Sequence, residues 1–454
     1  MTNTNDFSRG SVSRHIVALA GPMILAQFIN LLYNMVDRIY IGRLGRHATE
    51  AMSALGVCLP AITIGIAFAN LVGMGGSPLV SIARGKKDLD LARRILANAL
   101  VYLVFLSVLL MGGGLLFCKP LLIGFGASSS TIAYAQTYLS IYLLGTPFVL
   151  IALGMNAFIN AQGFAKTGMM TVVIGAILNI VLDPILIFGC GLGVAGAAIA
   201  TIVSQAVSMA WTLRFLTSSR SIVRLEWNRL SVDFSIVGQI TSLGLAGFMM
   251  SMTNSIVTIV CNNVLLRWGG DLYIAVMTVI NSLRELASLP GQGFANASQP
   301  VLGFNYGAGC YRRVLQGIRS VTLFTLGSMF VFWLLIVVGA HGLFRIFTDD
   351  PQVLAHGVRA SRLYFFGFFM MAFQMSGQSV AIGLGKSKQA IFFSIFRKVI
   401  VVVHLTFLLP FLFGVDGVFV AEAISNFAGG IACYGTMLAT IGRELQKKEK
   451  NRTI

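Results

Sequence analysis

The sequence predicts an all-α polytopic membrane protein with 12 transmembrane helices in two pseudo-symmetric six-helix bundles. Three observations lead to this prediction: the composition, the number of long apolar runs and an internal repeat. Of the 454 residues, 56% are hydrophobic and only 11% are charged, whereas soluble domains carry about 25% charged residues. This composition excludes an ordinary soluble enzyme and a disordered chain.

The apolar runs give the number of spans. A bilayer core about 30 Å thick requires roughly 20 apolar residues per helix. Twelve runs of that length lie between charged and turn residues, at approximately 14–42, 51–80, 93–117, 131–157, 167–189, 193–216, 234–266, 272–300, 314–344, 356–383, 389–413 and 415–441. An even number of spans places both termini on the same side of the membrane.

Basic residues predict which side that is. Of the 33 Lys and Arg residues, 24 fall at one end of the runs, eight at the other and Arg284 within a run. Lys and Arg in short loops stay in the cytoplasm, so we expect a multi-pass protein of the plasma (inner) membrane with both termini cytoplasmic. The net charge of +17 is interpreted as this topology signal. Because the charges form no single patch, we expect no nucleic-acid partner.

The two halves of the chain repeat one another. Pro78 and Gly85 in GMGGSPLVSIARGKKD have the spacing of Pro300 and Gly307 in GFANASQPVLGFNYGAG, and GVAGAAIATIVSQ (193–205) is matched by GVDGVFVAEAISN (414–426). Six spans per half is an even number, so both halves insert with the same orientation, as in parallel-repeat transporters. The predicted domains are an N-terminal six-helix lobe (1–216), a cytoplasmic inter-lobe linker (217–233) and a C-terminal six-helix lobe (234–454).

Polar residues inside the runs are the candidate functional residues, because a carboxylate at the centre of a span costs about 2.5–3.5 kcal/mol. Asp37, Asp183 and Thr201 share a depth of roughly 9–12 Å from the outer end of their helices. Tyr33 precedes Asp37 by one turn, and Asn179 precedes Asp183 by one turn, so each carboxylate shares a helix face with a second polar group. We therefore predict that these five residues form one cluster.

Two interpretations of this cluster remain open. Burial disfavours the ionised form of a carboxylate and a second carboxylate adds to that effect, so the Asp37/Asp183 site would bind H⁺ or Na⁺ as the coupling ion. Alternatively, the cluster is a satisfied polar pair that fixes helix packing. Cysteines and histidines show no metal-ligand spacing, so no other metal site and no cofactor are predicted.

Four further residues are candidates for a substrate cavity: Glu285, Arg284, Asn156 and Asn160. Glu285 directly follows Arg284 in the sequence, so the two would either pair with each other or contact a cationic substrate. Glu422 occupies the repeat position of Thr201 and would be a polar contact in the second lobe. The repeat position of Asp37, near Cys261 and Asn262, has no carboxylate, so ion coupling is predicted in the first lobe only.

The chain also resembles the multidrug and toxic compound extrusion (MATE) transporters. The resemblance rests on four segments: LAGPMILAQFINLLYNMVDRIYIGRLG, SPLVSIARGKKD, LDPILIFGCGLGVAGAAIAT and QPVLGFNYGAG. Similarity to the DinF-like branch of this family implies the MATE fold and export of amphiphilic, cationic compounds in exchange for H⁺ or Na⁺. It also implies a cation site at Tyr33, Asp37, Asn179, Asp183 and Thr201, and a bend of the first helix at Pro22. Asn160 departs from the family, in which arginine is common before AQG or AEG.

These observations predict a secondary active multidrug efflux transporter and not an enzyme. Its expected partners are small-molecule drugs or organic cations and the lipid bilayer, and we expect it to be monomeric. One alternative is a lipid-linked oligosaccharide flippase of the same superfamily, which would have a more cationic central cavity than Arg284 alone provides. Another is a membrane-embedded enzyme, but we find no catalytic set of residues for one.

Overall fold

A computed structural model describes residues 5–44, 48–229, 232–347 and 350–453. Within these ranges the chain is helical and contains no β-strand. The first half contains α1 (Val12–Ile41), α2 (Ala48–Gly85), α3 (Leu89–Leu116), α4 (Cys118–Gly124), α5 (Ile132–Leu144), α6 (Thr146–Ala161), α7 (Ala165–Gly189) and α8 (Gly193–Thr217). The second contains α9 (Phe234–Gly270), α10 (Leu272–Gly307), α11 (Tyr311–Phe347), α12 (Pro351–Gly383), α13 (Ser387–Phe413) and α14 (Asp416–Asn451).

The predicted number of spans is confirmed. In the described part of the chain, 11 helices are long and apolar enough to cross a membrane, and a bent pair raises the number to 12. That pair is α5 and α6, which meet at Gly145 at an angle of 55°, where the sequence predicted one span over 131–157. α9 and α10 are separated at Gly270, whose φ of 66° is readily adopted only by glycine.

The helices group into two compact units. The N-unit comprises Leu25–Gly244, and the C-unit comprises Met1–Ile24 together with Leu245–Ile454. The N-terminal segment therefore packs with the second half of the chain, whereas the sequence assigned it to the first lobe. Arg313 explains this placement, because its guanidinium donates to the carbonyls of Phe7 at 2.8 Å and Gly10 at 2.9 Å.

The predicted inter-lobe linker also has a fixed place. Gln162, of the AQG sequence, accepts hydrogen bonds from the Val223 backbone N–H at 2.7 Å and from the Ser221 hydroxyl at 3.1 Å. Farther along, Arg94 of α3 forms an ion pair with Asp233 at 2.6 Å. These bonds hold the described part of 217–233 against the N-unit. From the sequence, the linker could be recognised only by its polarity and by its position between two apolar runs.

Helices of the N-unit approach closely at glycines. A Cβ atom on Gly244 of α9 would overlap the Leu71 carbonyl of α2, and a Cβ atom on Gly75 of α2 would overlap the Ile240 carbonyl of α9. Reciprocal contacts of this kind bring two backbones together without intervening side chains, as is common between membrane helices. They join the start of α9 to the N-unit.

Candidate functional site

The N-unit buries the two carboxylates predicted from the sequence side by side. Asp183 is fully buried and Asp37 is 9% exposed, and their carboxyl groups lie within hydrogen-bonding reach of each other. One of the two must carry a proton for this contact to be a hydrogen bond. Asn179, one turn before Asp183, donates through its amide nitrogen to Asp183 Oδ2 at 2.9 Å, and its amide oxygen accepts from the Thr201 N–H at 3.3 Å.

Tyr33 and Thr201 complete this cluster. The Tyr33 hydroxyl lies within hydrogen-bonding reach of Thr201, whose own hydroxyl donates to the Ala197 carbonyl at 3.0 Å. Asp37 retains one buried oxygen, Oδ1, without a partner among the described residues. The structure thus brings together all five residues of the predicted cluster.

Local sequence explains how α7 presents Asp183. Pro184 has no N–H and cannot donate to the carbonyl of Ile180, and the helix continues as a π-helical turn over Ile185–Gly189. Gly196 of α8 faces this turn, where a Cβ atom would lie 2.7 Å from the Leu186 carbonyl. The wide turn and the missing side chain allow α8 to pack closely beside Asp183.

A polar cavity adjoins the cluster. It is lined by residues of α1, α6, α7 and α8. Tyr33, Asn179 and Thr201 line it, whereas Asp37 and Asp183 do not. Asn156 lines it as well, and its side-chain oxygen is buried without a partner among the described residues. The wall of this cavity is therefore uncharged, with the carboxylates adjoining it.

This arrangement suits the reversible binding of a small cation. Two negative charges in contact repel strongly where water is excluded, and a proton or a sodium ion relieves that repulsion. Carboxylate, amide and hydroxyl oxygens are also ligands of hard cations. Arg38 does not neutralise the pair by contact, because its side chain is exposed, away from buried Asp37 on the same helix.

The C-unit holds a second buried polar cluster, which is cationic. Arg397 donates to Glu422 at 2.7 Å, to Gln374 at 2.6 Å and to Asn426 at 2.6 Å, and Lys398 donates to Glu422 at 3.4 Å. The side chains of Arg397, Lys398 and Glu422 are only 4%, 10% and 7% exposed. Glu422 is thus the polar contact predicted for the second lobe, and its partners are two cations.

Arg397 and Lys398 correct the sequence analysis, which counted them among the charges at the cytoplasmic end of a span. They lie inside α13 and are buried. The sequence contained a signal that was not used, because a basic pair eight residues into an apolar run needs a buried acid. Glu422 was the available acid.

The candidate residues for a substrate cavity are divided between the two units. Arg284 lines a cavity of the C-unit and Asn156 lines the cavity of the N-unit, whereas Glu285 and Asn160 line neither. Glu285 is exposed, and no ion pair joins it to Arg284 among the described residues. Of the two alternatives for these neighbours, the structure shows no pairing between them, and adjacent helical side chains point about 100° apart.

Two helical repeats inserted with the same orientation are an architecture of secondary transporters. The comparison with known families agrees with this class. The family model MatE matches residues 22–185 and 235–408, one stretch in each half of the chain. The chain belongs to the MatE family, and the resemblance inferred from the sequence is confirmed.

Relatives and solved structures extend this result. "Multidrug export protein MepA" of Staphylococcus haemolyticus is 24% identical over 435 residues, which cover 94% of each chain. The outward-facing structure of a multidrug resistance MATE family transporter of the MOP superfamily matches with a TM-score of 0.92 at 24% identity, covering 99% of both chains. A crystal structure of MATE in the bent conformation matches with the same TM-score and identity over 100% of both chains. The predicted fold class is confirmed.

Proposed function

We propose that this protein is a secondary active multidrug exporter that exchanges amphiphilic, cationic compounds for H⁺ or Na⁺. The observation that carries this proposal is the buried Asp37/Asp183 pair beside the N-unit cavity, in a chain of the MatE family. The relative from Staphylococcus haemolyticus bears the name of a multidrug export protein, which supports the same substrate class here.

The energy for export would come from an ion gradient. The sequence has no GxxxxGK[ST] phosphate loop, the signature of an ATP-driven machine. Moving one charge through 100 mV supplies about 2.3 kcal/mol. The Asp37/Asp183 pair would bind the entering ion. Asn179 would connect that event to the cavity, because it donates to Asp183 and lines the cavity together with Tyr33 and Thr201.

Pro22 would allow the first helix to respond to ion binding. It lies inside α1, which is continuous from Val12 to Ile41, and it removes the hydrogen bond to the Ala18 carbonyl. The division between the two units falls just after it, between Ile24 and Leu25. A bend at this weakened point would move the Tyr33 and Asp37 segment relative to the start of the helix.

The cationic cluster of the C-unit favours a second candidate function. Arg397 and Lys398 add buried positive charge that the sequence analysis had placed at the cytoplasmic end of a span. An anionic lipid-linked oligosaccharide would be attracted to such charge, so a flippase of the same superfamily is the alternative. We place multidrug export first because the relative's name supports it. We also propose that the protein acts as a monomer in the plasma (inner) membrane with both termini cytoplasmic.

Dye transport in inverted membrane vesicles tests the proposal. Vesicles that contain the protein should accumulate ethidium when an H⁺ or an Na⁺ gradient is imposed, and each gradient is imposed separately to identify the ion. Vesicles from cells without the protein are the control. Accumulation that needs ATP and persists after both gradients are dissipated would contradict antiport. Flipping of a lipid-linked oligosaccharide without dye transport would favour the second candidate.

A further inference from the structure

The C-unit contains a partly open cavity lined by both polar and apolar residues. Asn254, Thr258 and Asn262 line it from α9, where their spacing of four residues places them on one helix face. Asn254 and Thr258 are exposed, whereas Lys398 and Glu422 are buried. The cavity thus has an uncharged polar mouth and a charged floor.

Positive charge exceeds negative charge at this floor. Arg284 and Lys398 line the cavity together with Glu422, and Arg397 donates to the same carboxylate at 2.7 Å. Three cations and one buried acid therefore lie at or beside this floor among the described residues. Glu285 does not restore the balance, because it is exposed and does not line the cavity. Burying an excess charge is costly unless a counter-charge accompanies it.

Hydrogen bonding in this region shows an excess of donors over acceptors. Arg284 Nε, Arg397 Nε and Asn426 Nδ2 are buried donors without an acceptor among the described residues. Around the N-unit cavity the unpartnered buried atoms are Asp37 Oδ1, Asn156 Oδ1 and Ser204 Oγ, oxygens that can accept. Buried polar groups in proteins are almost always satisfied, so an added acceptor would stabilise these donors, of which Arg284 belongs to the cavity lining.

We infer that the C-unit cavity binds the oxyanion group of an anionic amphiphile, with Arg284 and Lys398 as its charged contacts. Arginine and lysine are the usual partners of carboxylate and phosphate oxygens, and Asn262 and Asn281 supply further donors in the lining. The same cavity has apolar walls formed by Val257, Met277, Val402 and Val418. An apolar body attached to the anionic group would cover these walls.

Binding of benzoate to the purified full-length protein tests this inference. Titration calorimetry at low ionic strength would compare benzoate with benzamide, which has the same ring and no charge. We expect benzoate to bind, and benzamide to bind at least about tenfold more weakly, since a hydrogen bond to a charged group is worth more than a neutral one. Failure of benzoate to bind, or equal affinity for the two, would overturn the inference.

Two substitutions locate the site. Arg284→Gln and Lys398→Met should each weaken benzoate binding about tenfold or more, and Arg284→Lys should restore part of the loss because it keeps the charge. Arg284→Gln and Lys398→Met leave the Arg397–Glu422 ion pair in place, and thermal unfolding would verify that these variants fold. Lys388→Met is the matched control, because Lys388 is an exposed cation of the same helix as Lys398. Unchanged affinity in both cavity variants would overturn the inference.

The apolar part of the ligand is tested separately with phenyl phosphate and inorganic phosphate. Tighter binding of phenyl phosphate supports an amphiphilic ligand, whereas equal affinity would contradict the assignment of the apolar walls. None of these measurements requires transport. A failure of the protein to drive dye transport with either ion gradient would therefore leave this inference standing, and a failure of benzoate binding would leave the export proposal standing.

Discussion

Glu422 accepts a hydrogen bond from Arg397 at 2.7 Å at the repeat position where the N-unit has Thr201. Thr201 instead belongs to a cluster whose charged members, Asp37 and Asp183, are both acidic. Equivalent positions of the two repeats therefore carry opposite chemistry. The repeated fold thus holds a carboxylate pair in one unit and a cation-rich cluster in the other.

The first prediction concerns ion coupling. Asp37→Asn and Asp183→Asn should each lower gradient-driven efflux about tenfold or more, and the double variant should be little worse than either, because residues that serve one step are not additive. The amount of each variant protein should be unchanged, since removing a charge from a span lowers the free-energy cost of inserting that span into the membrane. Dye efflux and immunoblotting measure both quantities.

Glu285→Gln is the matched control for this prediction. It removes a carboxylate from a predicted span, but Glu285 is exposed and lines neither cavity. Ion-driven efflux should persist in this variant. Normal ion-driven efflux in both aspartate variants, together with its loss in Glu285→Gln, would contradict the assignment of the coupling site to the N-unit.

The buried ion pairs of the C-unit give the second prediction. Glu422→Gln should destabilise the protein by about 3–5 kcal/mol, because it leaves Arg397 and Lys398 buried without a counter-charge. Lys398→Met should cost much less, since Arg397 still neutralises Glu422. Adding Lys398→Met to Glu422→Gln should recover part of the stability. Thermal unfolding in detergent measures all three, and equal losses for the two single variants would contradict the pairing.

Helix packing in the N-unit gives the third prediction. Gly244→Ala places a methyl group against the Leu71 carbonyl and should destabilise the protein by about 1–3 kcal/mol through overpacking. Gly238→Ala, in the same helix, meets nothing within 4 Å. It should be neutral or stabilising by about 0.5–1 kcal/mol, because alanine favours a helix over glycine. A melting temperature unchanged by Gly244→Ala would argue against the close approach.

Membrane topology is the fourth prediction. Arg397 and Lys398 are buried and no longer count as basic residues at the cytoplasmic end of a span. The count then becomes 22 cytoplasmic Lys and Arg residues against eight external ones, so the expected orientation is unchanged. Reporters fused after Lys87, after Arg220 and at the C-terminus should be cytoplasmic. A reporter near Asp349, which lies outside the described residues, should be external. An external reporter after Arg220 would contradict the arrangement of six spans per half.

The sequence by itself determined the spans, the repeat, the family and the acidic cluster. Each depends on a local property: apolar length sets the span, and the one-turn spacing of Tyr33 and Asp37 sets a shared helix face. The depth argument could align Asp183 with Asp37 because straight helices rise uniformly along the chain.

Beyond the acidic cluster, only the tertiary structure decided which residues meet across helices. Sequence spacing did not reveal that Arg397 and Lys398 pair with Glu422, that Arg313 holds Phe7 within the C-unit, or that Gln162 holds the linker through Val223. These contacts join residues far apart in the chain, and they depend on how each helix is rotated about its axis. A rotation of about 100°, the difference between adjacent helical positions, separates buried Asp37 from exposed Arg38. Packing against neighbouring helices fixes that rotation, and no local pattern in the sequence records it.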